Sequence, residues 1–161
     1  IPLIAAHSNL LVVRTLSKSR SLAGLRVGYA LGHPDLIQAL TRVKDSFNSY
    51  PLGRPAQAGA LASVADEAAL QADLARIVAT RARMTRGLED LGFEVLPSAA
   101  NFVFARHDAR PGAEIAQALR DRAILVRRFD APRITDHLRI TVGTEEQTDR
   151  LLAALAEILA A

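Results

Sequence analysis

The sequence has no cysteine and no tryptophan, and aromatic residues make up only 4% of its 161 residues. The absence of cysteine excludes disulfides and thiolate metal sites. The scarcity of aromatic rings argues against a base-stacking surface for nucleic acid, and the modest net charge of +3 argues against a polyanion groove. The four histidines are scattered without the spacing of metal ligands, so no metal is expected.

Long apolar runs are also missing: none reaches the length of a membrane span, and the N-terminus does not resemble a signal peptide. The sequence predicts a soluble, cytoplasmic protein with neither a membrane nor a nucleic acid as partner. The hydrophobic share of 50% is large enough for an aliphatic core. The chain opens without methionine, directly before a predicted strand that needs neighbours on both sides, so we expect it to lack an N-terminal half.

Lysine is almost absent, because only Lys18 and Lys44 are lysine among the 20 basic residues. Arginine stays protonated and cannot act as a nucleophilic amine, so a retained lysine suggests amine chemistry. Lys18 follows an apolar strand predicted at residues 10–13, which we expect to be buried on both faces as in parallel sheets. Open α/β sheets bind ligands at the carboxyl ends of such strands, which makes Lys18 a candidate reactive group. The alternative is a solvated loop lysine.

The residues around Lys18 are suited to a phosphate ester. Thr15 and Ser17 offer two hydroxyl groups, and Arg26 offers a forked cation near the same turn. Gly24 and Gly28 permit a close backbone approach. Together with Lys18, these residues predict a phosphate-binding turn around a primary amine.

Two segments carry a family resemblance: Thr-Leu-Ser-Lys at residues 15–18 and Leu-Ala-Gly-Leu-Arg-Val-Gly-Tyr at residues 22–29. They resemble the cofactor-lysine segment of fold-type I, pyridoxal-phosphate-dependent aminotransferases, most closely those that act on histidinol phosphate. The resemblance implies that Lys18 is the catalytic lysine and binds pyridoxal 5'-phosphate covalently, and that Thr15, Ser17 and Arg26 bind the cofactor phosphate. It also implies 2-oxoglutarate as amino acceptor and a homodimer with shared active sites.

Other cofactor-binding residues of that family lie upstream of the region that this chain resembles. They include the aspartate that pairs with the pyridine nitrogen and the ring that stacks on the cofactor. We therefore expect the isolated 161 residues to bind pyridoxal phosphate weakly and to turn over little.

The first half of the chain is predicted to be α/β. A strand at residues 27–31 precedes a helix that runs from Pro34 to about Phe47, and its apolar stripe, which includes Leu40 and Val43, is assigned to the core. A loop follows, in which Tyr50 either packs on the next helix or, by resemblance, lies near the substrate. Helices are then predicted at residues 55–65 and 67–91.

The long second helix predicts the domain organisation, because the resembled architecture joins two domains through such a helix. Residues 1–80 are predicted to be the end of a large cofactor-binding domain with a mostly parallel sheet. Residues 81–161 are predicted to form a smaller α+β C-terminal domain with an antiparallel or mixed sheet. Its elements are predicted as strands at 93–96, 102–105, 124–126 and 138–142 and helices at 111–121 and from a capping box at Thr144 onward.

Arg139 lies inside the apolar strand at 138–142, where its charge costs desolvation energy unless an anion or acid accompanies it. One possibility is a structural salt bridge with Asp130 or Asp136. The resemblance implies instead that Arg139, with a second arginine after the preceding strand, binds the substrate phosphate. Arg127 is chosen over Arg128 because neighbours in a strand point to opposite faces.

Asn101 resembles an asparagine that lies near the substrate in this family, and its alternative role is a turn residue that bonds the backbone.

Two other functions stay open at this point. One is a related enzyme such as a threonine-phosphate decarboxylase, whose phosphate the same arginines would suit. The other is a non-catalytic α/β piece that acts in assembly.

Overall fold

The computed structural model describes residues 1–48 and 50–160. The elements in chain order are α1 (Leu3–Ala6), β1 (Leu11–Thr15), α2 (Leu16–Ser19), a 3-10 turn (Ala23–Leu25), β2 (Gly28–Gly32), α3 (Pro34–Phe47), α4 (Arg54–Ala65), α5 (Glu67–Asp90), β3 (Phe93–Leu96), β4 (Phe102–His107), α6 (Gly112–Asp121), β5 (Arg127–Arg128), β6 (Leu138–Thr141) and α7 (Glu145–Ala160). Among the described helices, none has the length and apolar content needed to cross a membrane.

The chain divides into two compact units, residues 1–71 and 72–161, so the division falls within α5. The predicted domain boundary between residues 80 and 81 falls in the same helix. The assignment of these parts to the two domains of the resembled family stays a prediction.

In the first unit, β1 and β2 form an antiparallel pair with Thr15 opposite Gly28. One step beyond that pair, the Leu16 amide donates to the Val27 carbonyl at 3.0 Å, and both of these residues are buried. A Cβ at position 28 would lie 3.0 Å from the Arg14 carbonyl oxygen, which explains the glycine. This pairing fixes the turn that follows β1 against the turn that precedes β2.

The prediction that the first strand is buried on both faces is wrong for this chain. The strand forms at Leu11–Thr15 instead of residues 10–13, and Val13 is 71% exposed. Among the described residues, β1 pairs only with β2, and this pair is antiparallel. The mostly parallel sheet of the predicted fold class is therefore not represented by these two strands.

Helix α3 has the predicted bounds, and its start is capped by His33, whose Nδ1 accepts from the Asp35 amide at 3.3 Å. The assignment of its apolar stripe to the core is wrong within this unit, since Val43 is 60% exposed and Leu40 is also exposed. Tyr50 is 91% exposed, so packing on the next helix, one of the two alternatives for this residue, is not found. A helical period identifies an apolar face but not the layer that covers it.

The second unit contains an antiparallel sheet in the order β3-β4-β6-β5, as expected for the α+β part. Side chains alternate across it, and β6 buries Leu138 and Ile140 while Arg139 and Thr141 are exposed. The buried face packs against α5, α6 and α7 in one apolar core, to which the helices contribute Met84, Leu88, Ile115, Leu119, Leu151, Ala154, Leu155 and Ile158. The residues on the other face of the sheet include the candidate substrate-binding arginines.

The prediction of a strand at residues 124–126 is wrong, because these residues are irregular and the short strand β5 starts at Arg127. Their apolar character reflects packing of Ile124 and Val126 against the core rather than ladder pairing. The capping box at the start of α7 is present as predicted. The Thr144 amide donates to Gln147 Oε1 at 3.0 Å, and the Gln147 amide donates to Thr144 Oγ1 at 3.3 Å.

Candidate active site

The turn that carries Lys18 is organised by hydroxyl groups. Thr15 caps α2, because its Oγ1 accepts from the Ser17 amide at 3.1 Å and donates to Ser17 Oγ at 2.9 Å. Ser19 Oγ donates to the Thr15 carbonyl at 3.1 Å, which closes the turn around Lys18. The lysine side chain is exposed, and within residues 1–48 and 50–160 its amine has no hydrogen bond or ion pair. The structure thus presents an exposed primary amine on the turn that also carries the hydroxyl groups of Thr15 and Ser17.

Arg26 lies on the other side of the same backbone pairing. It adopts a left-handed conformation with φ of 57°, and it directly precedes Val27, the partner of Leu16. Its Nη1 donates to the Ala23 carbonyl at 3.0 Å, and no carboxylate of the described residues forms an ion pair with it. The guanidinium therefore keeps donors that can bind an anion.

Arg20 was not predicted to take part in this region. Its side chain is only 12% exposed, and Nη1 donates to the carbonyls of Ser63 at 2.8 Å and Asp66 at 3.1 Å. Its Nη2 forms an ion pair with Glu67 Oε2 at 3.0 Å. Arg20 thus connects the Lys18 turn to the corner between α4 and α5. No local feature of the sequence predicts this long-range contact.

The corner also affects a carboxyl group. Hydrogen bonds from Gln71 and, next, from Arg20 lower the pKa of Glu67 below its ordinary value of 4.5, although the group is exposed. The corner thus favours the ionised form of Glu67.

In the second unit, Arg127 and Arg139 are directly opposite each other in the β5-β6 register. Directly opposite residues place their side chains on the same face of a sheet, so the two guanidinium groups share the exposed face. Within the described residues, neither forms an ion pair with a carboxylate. Two unneutralised guanidinium groups side by side are suited to a phosphate or carboxylate ligand.

The two acids considered as partners for Arg139 are engaged elsewhere. Asp130 pairs with Arg128 at 3.3 Å, and Asp136 Oδ1 accepts from the Gly112 amide at 3.1 Å. Arg128 also donates to the carbonyl and hydroxyl of Thr135, both at 2.8 Å. Arg128 therefore has a structural role, which favours Arg127 as the ligand-binding residue of the two.

Asn101 lies immediately before β4 and is exposed. Its carbonyl accepts from the Val142 amide at 2.9 Å, while the turn before it is bonded by Ser98, whose Oγ accepts from the Ala100 amide at 3.1 Å. The side-chain turn role considered for Asn101 thus belongs to Ser98. Asn101 adjoins Phe102, whose ring lies 5.4 Å from the Arg139 guanidinium carbon.

The class I and II aminotransferase family model matches residues 1–155. The chain belongs to this family. It is 63% identical over 159 residues to histidinol-phosphate aminotransferase of Gluconacetobacter diazotrophicus and 60% identical over 159 residues to histidinol-phosphate aminotransferase 2 of Rhizobium meliloti. Each alignment covers 99% of this chain and 45% of the relative, so the chain spans about half the length of these curated relatives.

Among solved structures, this aminotransferase chain resembles histidinol-phosphate aminotransferase from Sinorhizobium meliloti in complex with pyridoxal-5'-phosphate. The TM-score is 0.84 at 33% identity, and the match covers 95% of this chain and 42% of the other. The family and fold implied by the two sequence segments are therefore confirmed.

The Lys18 turn of the aminotransferase chain has the groups needed for a ligand that combines an aldehyde with a phosphate ester. An amine can condense with the aldehyde, and two hydroxyl groups with a guanidinium free of acid partners among the described residues can bind the phosphate. Gly28 serves the contact between β1 and β2. A Cβ at Gly24 would meet nothing within 4 Å, so no close approach within the described residues requires that glycine.

Proposed function

We propose that the whole protein is a pyridoxal-phosphate-dependent aminotransferase of histidine biosynthesis. It transfers the amino group of L-histidinol phosphate to 2-oxoglutarate. The observation that carries this proposal is the directly opposed pair Arg127 and Arg139, which has no acid partner among the described residues. The names of the relatives support the same substrate.

In the first unit, Thr15, Ser17 and Arg26 would bind the cofactor phosphate, and Lys18 Nζ would bond to its aldehyde carbon. Pyridoxal phosphate, when bound, supplies an electron sink that stabilises negative charge on the carbon bearing the substrate amine. The hydroxyl groups and the guanidinium fix the phosphate end and thereby orient the ring relative to the lysine.

Lys18 Nζ would also act as the general base. With the substrate bound, Lys18 Nζ would take up the proton from the carbon that bears the substrate amine. The short helix α2 limits the positions that the lysine amine can reach, because the side chains of Thr15 and Ser19, which flank Lys18, bond the Ser17 amide and the Thr15 carbonyl. Arginine at this position could not accept the proton.

In the second unit, Arg127 and Arg139 would bind the phosphate of histidinol phosphate in one half-reaction and a carboxylate of 2-oxoglutarate in the other. The planar guanidinium groups donate to either anion with similar geometry. Asn101 would add a polar contact to the substrate. We also propose, from the family resemblance, that the whole protein is a homodimer in the cytoplasm. Sedimentation of the purified protein tests whether it is a dimer.

The test measures transamination of histidinol phosphate with 2-oxoglutarate by the whole protein and by its Lys18→Arg variant. We expect a loss on the order of a thousandfold or more, because a positioned proton-transfer group alone contributes roughly 10²–10⁴-fold. Lys44→Arg is the matched control, since Lys44 is the other lysine of the chain and lies in α3. Borohydride reduction with the cofactor should label the peptide that contains Lys18; a label elsewhere, or an undiminished Lys18→Arg variant, would refute the assignment.

A substrate comparison separates the other functions. Release of carbon dioxide from threonine phosphate without turnover of histidinol phosphate would identify a decarboxylase that uses the same arginines. Failure of the whole protein to bind pyridoxal phosphate at Lys18, with neither substrate consumed, would favour a role in assembly.

A further inference from the structure

One aromatic ring contacts both guanidinium groups of the arginine pair. The Phe129 ring centroid lies 5.3 Å from the guanidinium carbon of Arg127 and 5.7 Å from that of Arg139. Phe104 supports the ring edge to face at 6.4 Å. Of these two arginines, Phe102 contacts Arg139 alone within the described part of the chain, so Phe129 is the ring that the two charges share.

The ring addresses an energetic problem of the site. Like charges directly opposite each other in a sheet repel, and no carboxylate of the described residues relieves this repulsion. The face of an aromatic ring carries negative potential and attracts a guanidinium group. Contact with the ring also restricts the rotamers of the two arginine side chains before a ligand binds. Less side-chain entropy is then lost on binding.

We propose that Phe129 is a positioning residue that holds Arg127 and Arg139 together in the geometry that binds an oxyanion. The proposal rests on the proposed function in one respect: the oxyanion is taken to be the substrate phosphate. Phe129 itself makes no bond to the ligand. It lowers the cost of binding by keeping both donors in place before the ligand arrives.

The test uses inorganic phosphate as the probe and the whole protein loaded with cofactor, so that the cofactor's own phosphate site is filled. Broadening of the phosphorus-31 resonance gives the dissociation constant without any need for turnover. Phe129→Leu keeps an apolar side chain but removes the ring, and we expect phosphate to bind about tenfold more weakly, as two exposed cation–π contacts imply. Phe129→Tyr keeps the ring and should bind phosphate as the wild type does.

Phe102→Leu is a graded control, because it removes the ring from Arg139 alone; we expect a loss of about threefold, as one contact implies. In steady-state kinetics, Phe129→Leu should raise KM for the phosphorylated substrate and leave kcat nearly unchanged. A merely structural role would lower stability instead and would not be rescued selectively by a ring.

A polyfluorinated phenylalanine at position 129 gives a variant of the same shape whose ring face no longer attracts cations, and it should weaken phosphate binding like leucine. Unchanged phosphate affinity in this variant or in a folded Phe129→Leu variant would overturn the proposal. These outcomes are separate from the proposed function. If the wild type binds phosphate but does not use histidinol phosphate, the proposed function fails while the effect of the ring is still measured.

Discussion

Two consecutive arginines, Arg127 and Arg128, have different surroundings because neighbouring residues in a strand point to opposite faces of the sheet. Arg127 is exposed opposite Arg139, whereas Arg128 is bound to Thr135 and Asp130. Both residues have the same charge and donor geometry. The difference between them comes only from the face of the sheet on which each side chain lies.

We predict that this difference appears in the kinetics of the whole protein. Arg127→Gln should raise KM for the phosphorylated substrate on the order of tenfold to a hundredfold, because a hydrogen bond to a charged group contributes about 1.5–3 kcal/mol. Arg128→Gln should leave that KM nearly unchanged and lower the melting temperature, because it removes the bonds to Thr135. Steady-state kinetics and thermal unfolding of both variants check the prediction, which a larger KM effect for Arg128→Gln would contradict.

The sequence could predict the candidate site residues but not their spatial relations. Some signals are local. An arginine within an apolar strand indicated Arg139, and a lysine directly after a strand indicated Lys18. The direct opposition of Arg127 and Arg139 depends on strand register, which is set by long-range pairing. The contact of the Phe129 ring with Arg139 could not be predicted, because Arg139 lies on the next strand and reaches the ring only through the strand register.

At the scale of secondary structure elements, the corner between α4 and α5 stabilises the Lys18 turn. Arg20 donates to three residues of this corner. Ser63 lies in the last turn of α4, Asp66 follows that helix, and Glu67 is the first residue of α5. The lowered pKa of Glu67 means that the folded state binds its proton less tightly than the unfolded state. The stabilisation by Glu67 is therefore present above its ordinary pKa of 4.5 and is lost as the pH falls through the lower pKa of the folded state.

We predict that Glu67→Gln reduces the acid sensitivity of the first unit. Both tyrosines of the chain, Tyr29 and Tyr50, lie in this unit, so tyrosine fluorescence during urea unfolding reports on it selectively. The wild type should lose stability more steeply than the variant between about pH 5 and pH 3. Parallel pH dependences would contradict the prediction, and Lys44→Arg serves as a control outside the corner.

A second prediction at this scale concerns the start of α6. A Cβ at Gly112 would lie 2.5 Å from the Asp136 carbonyl oxygen, which belongs to the backbone and cannot move aside easily. Gly112→Ala should therefore destabilise the second unit by about 1–3 kcal/mol, as overpacking does, although alanine favours helices. Gly24→Ala should have little effect, because no atom lies within 4 Å of its added Cβ. Urea unfolding followed by circular dichroism compares the two, and equal stabilities would contradict the prediction.

The bounds of helices were more predictable than the burial of their faces. Pro34 and Asp35 indicate the start of α3, and the Thr144 and Gln147 pair indicates the start of α7, because caps are local interactions. The burial of Val43 depends on which element covers α3, and the sequence of a helix contains no such information. The strand predicted at residues 124–126 failed for a related reason, since an apolar run can pack on a core without pairing.

At the scale of the whole chain, the two units differ in how much apolar surface they bury. The core of the second unit joins its three helices and its sheet, and Leu88 and Leu155 are fully buried within it. In the first unit, the buried hydrophobic residues among those described are Leu16 and Val27, while Phe47 and Leu61 are exposed. Because buried apolar area is the main source of stability, the 161-residue chain should not unfold as one cooperative unit.

We predict that hydrogen exchange of the 161-residue chain separates the units. Amides of β4, β6 and α7 should exchange slowly, and those of β1 and β2 rapidly, because local opening of the first unit exposes little additional apolar surface. Leu88→Ala should lower the protection of the second unit by about 2–5 kcal/mol and leave the first unit unchanged. Leu61→Ala is the control, since this exposed side chain makes no comparable contribution. Equal protection of β1 and β6, or loss of protection in both units through Leu88→Ala, would show that the two units are one cooperative structure.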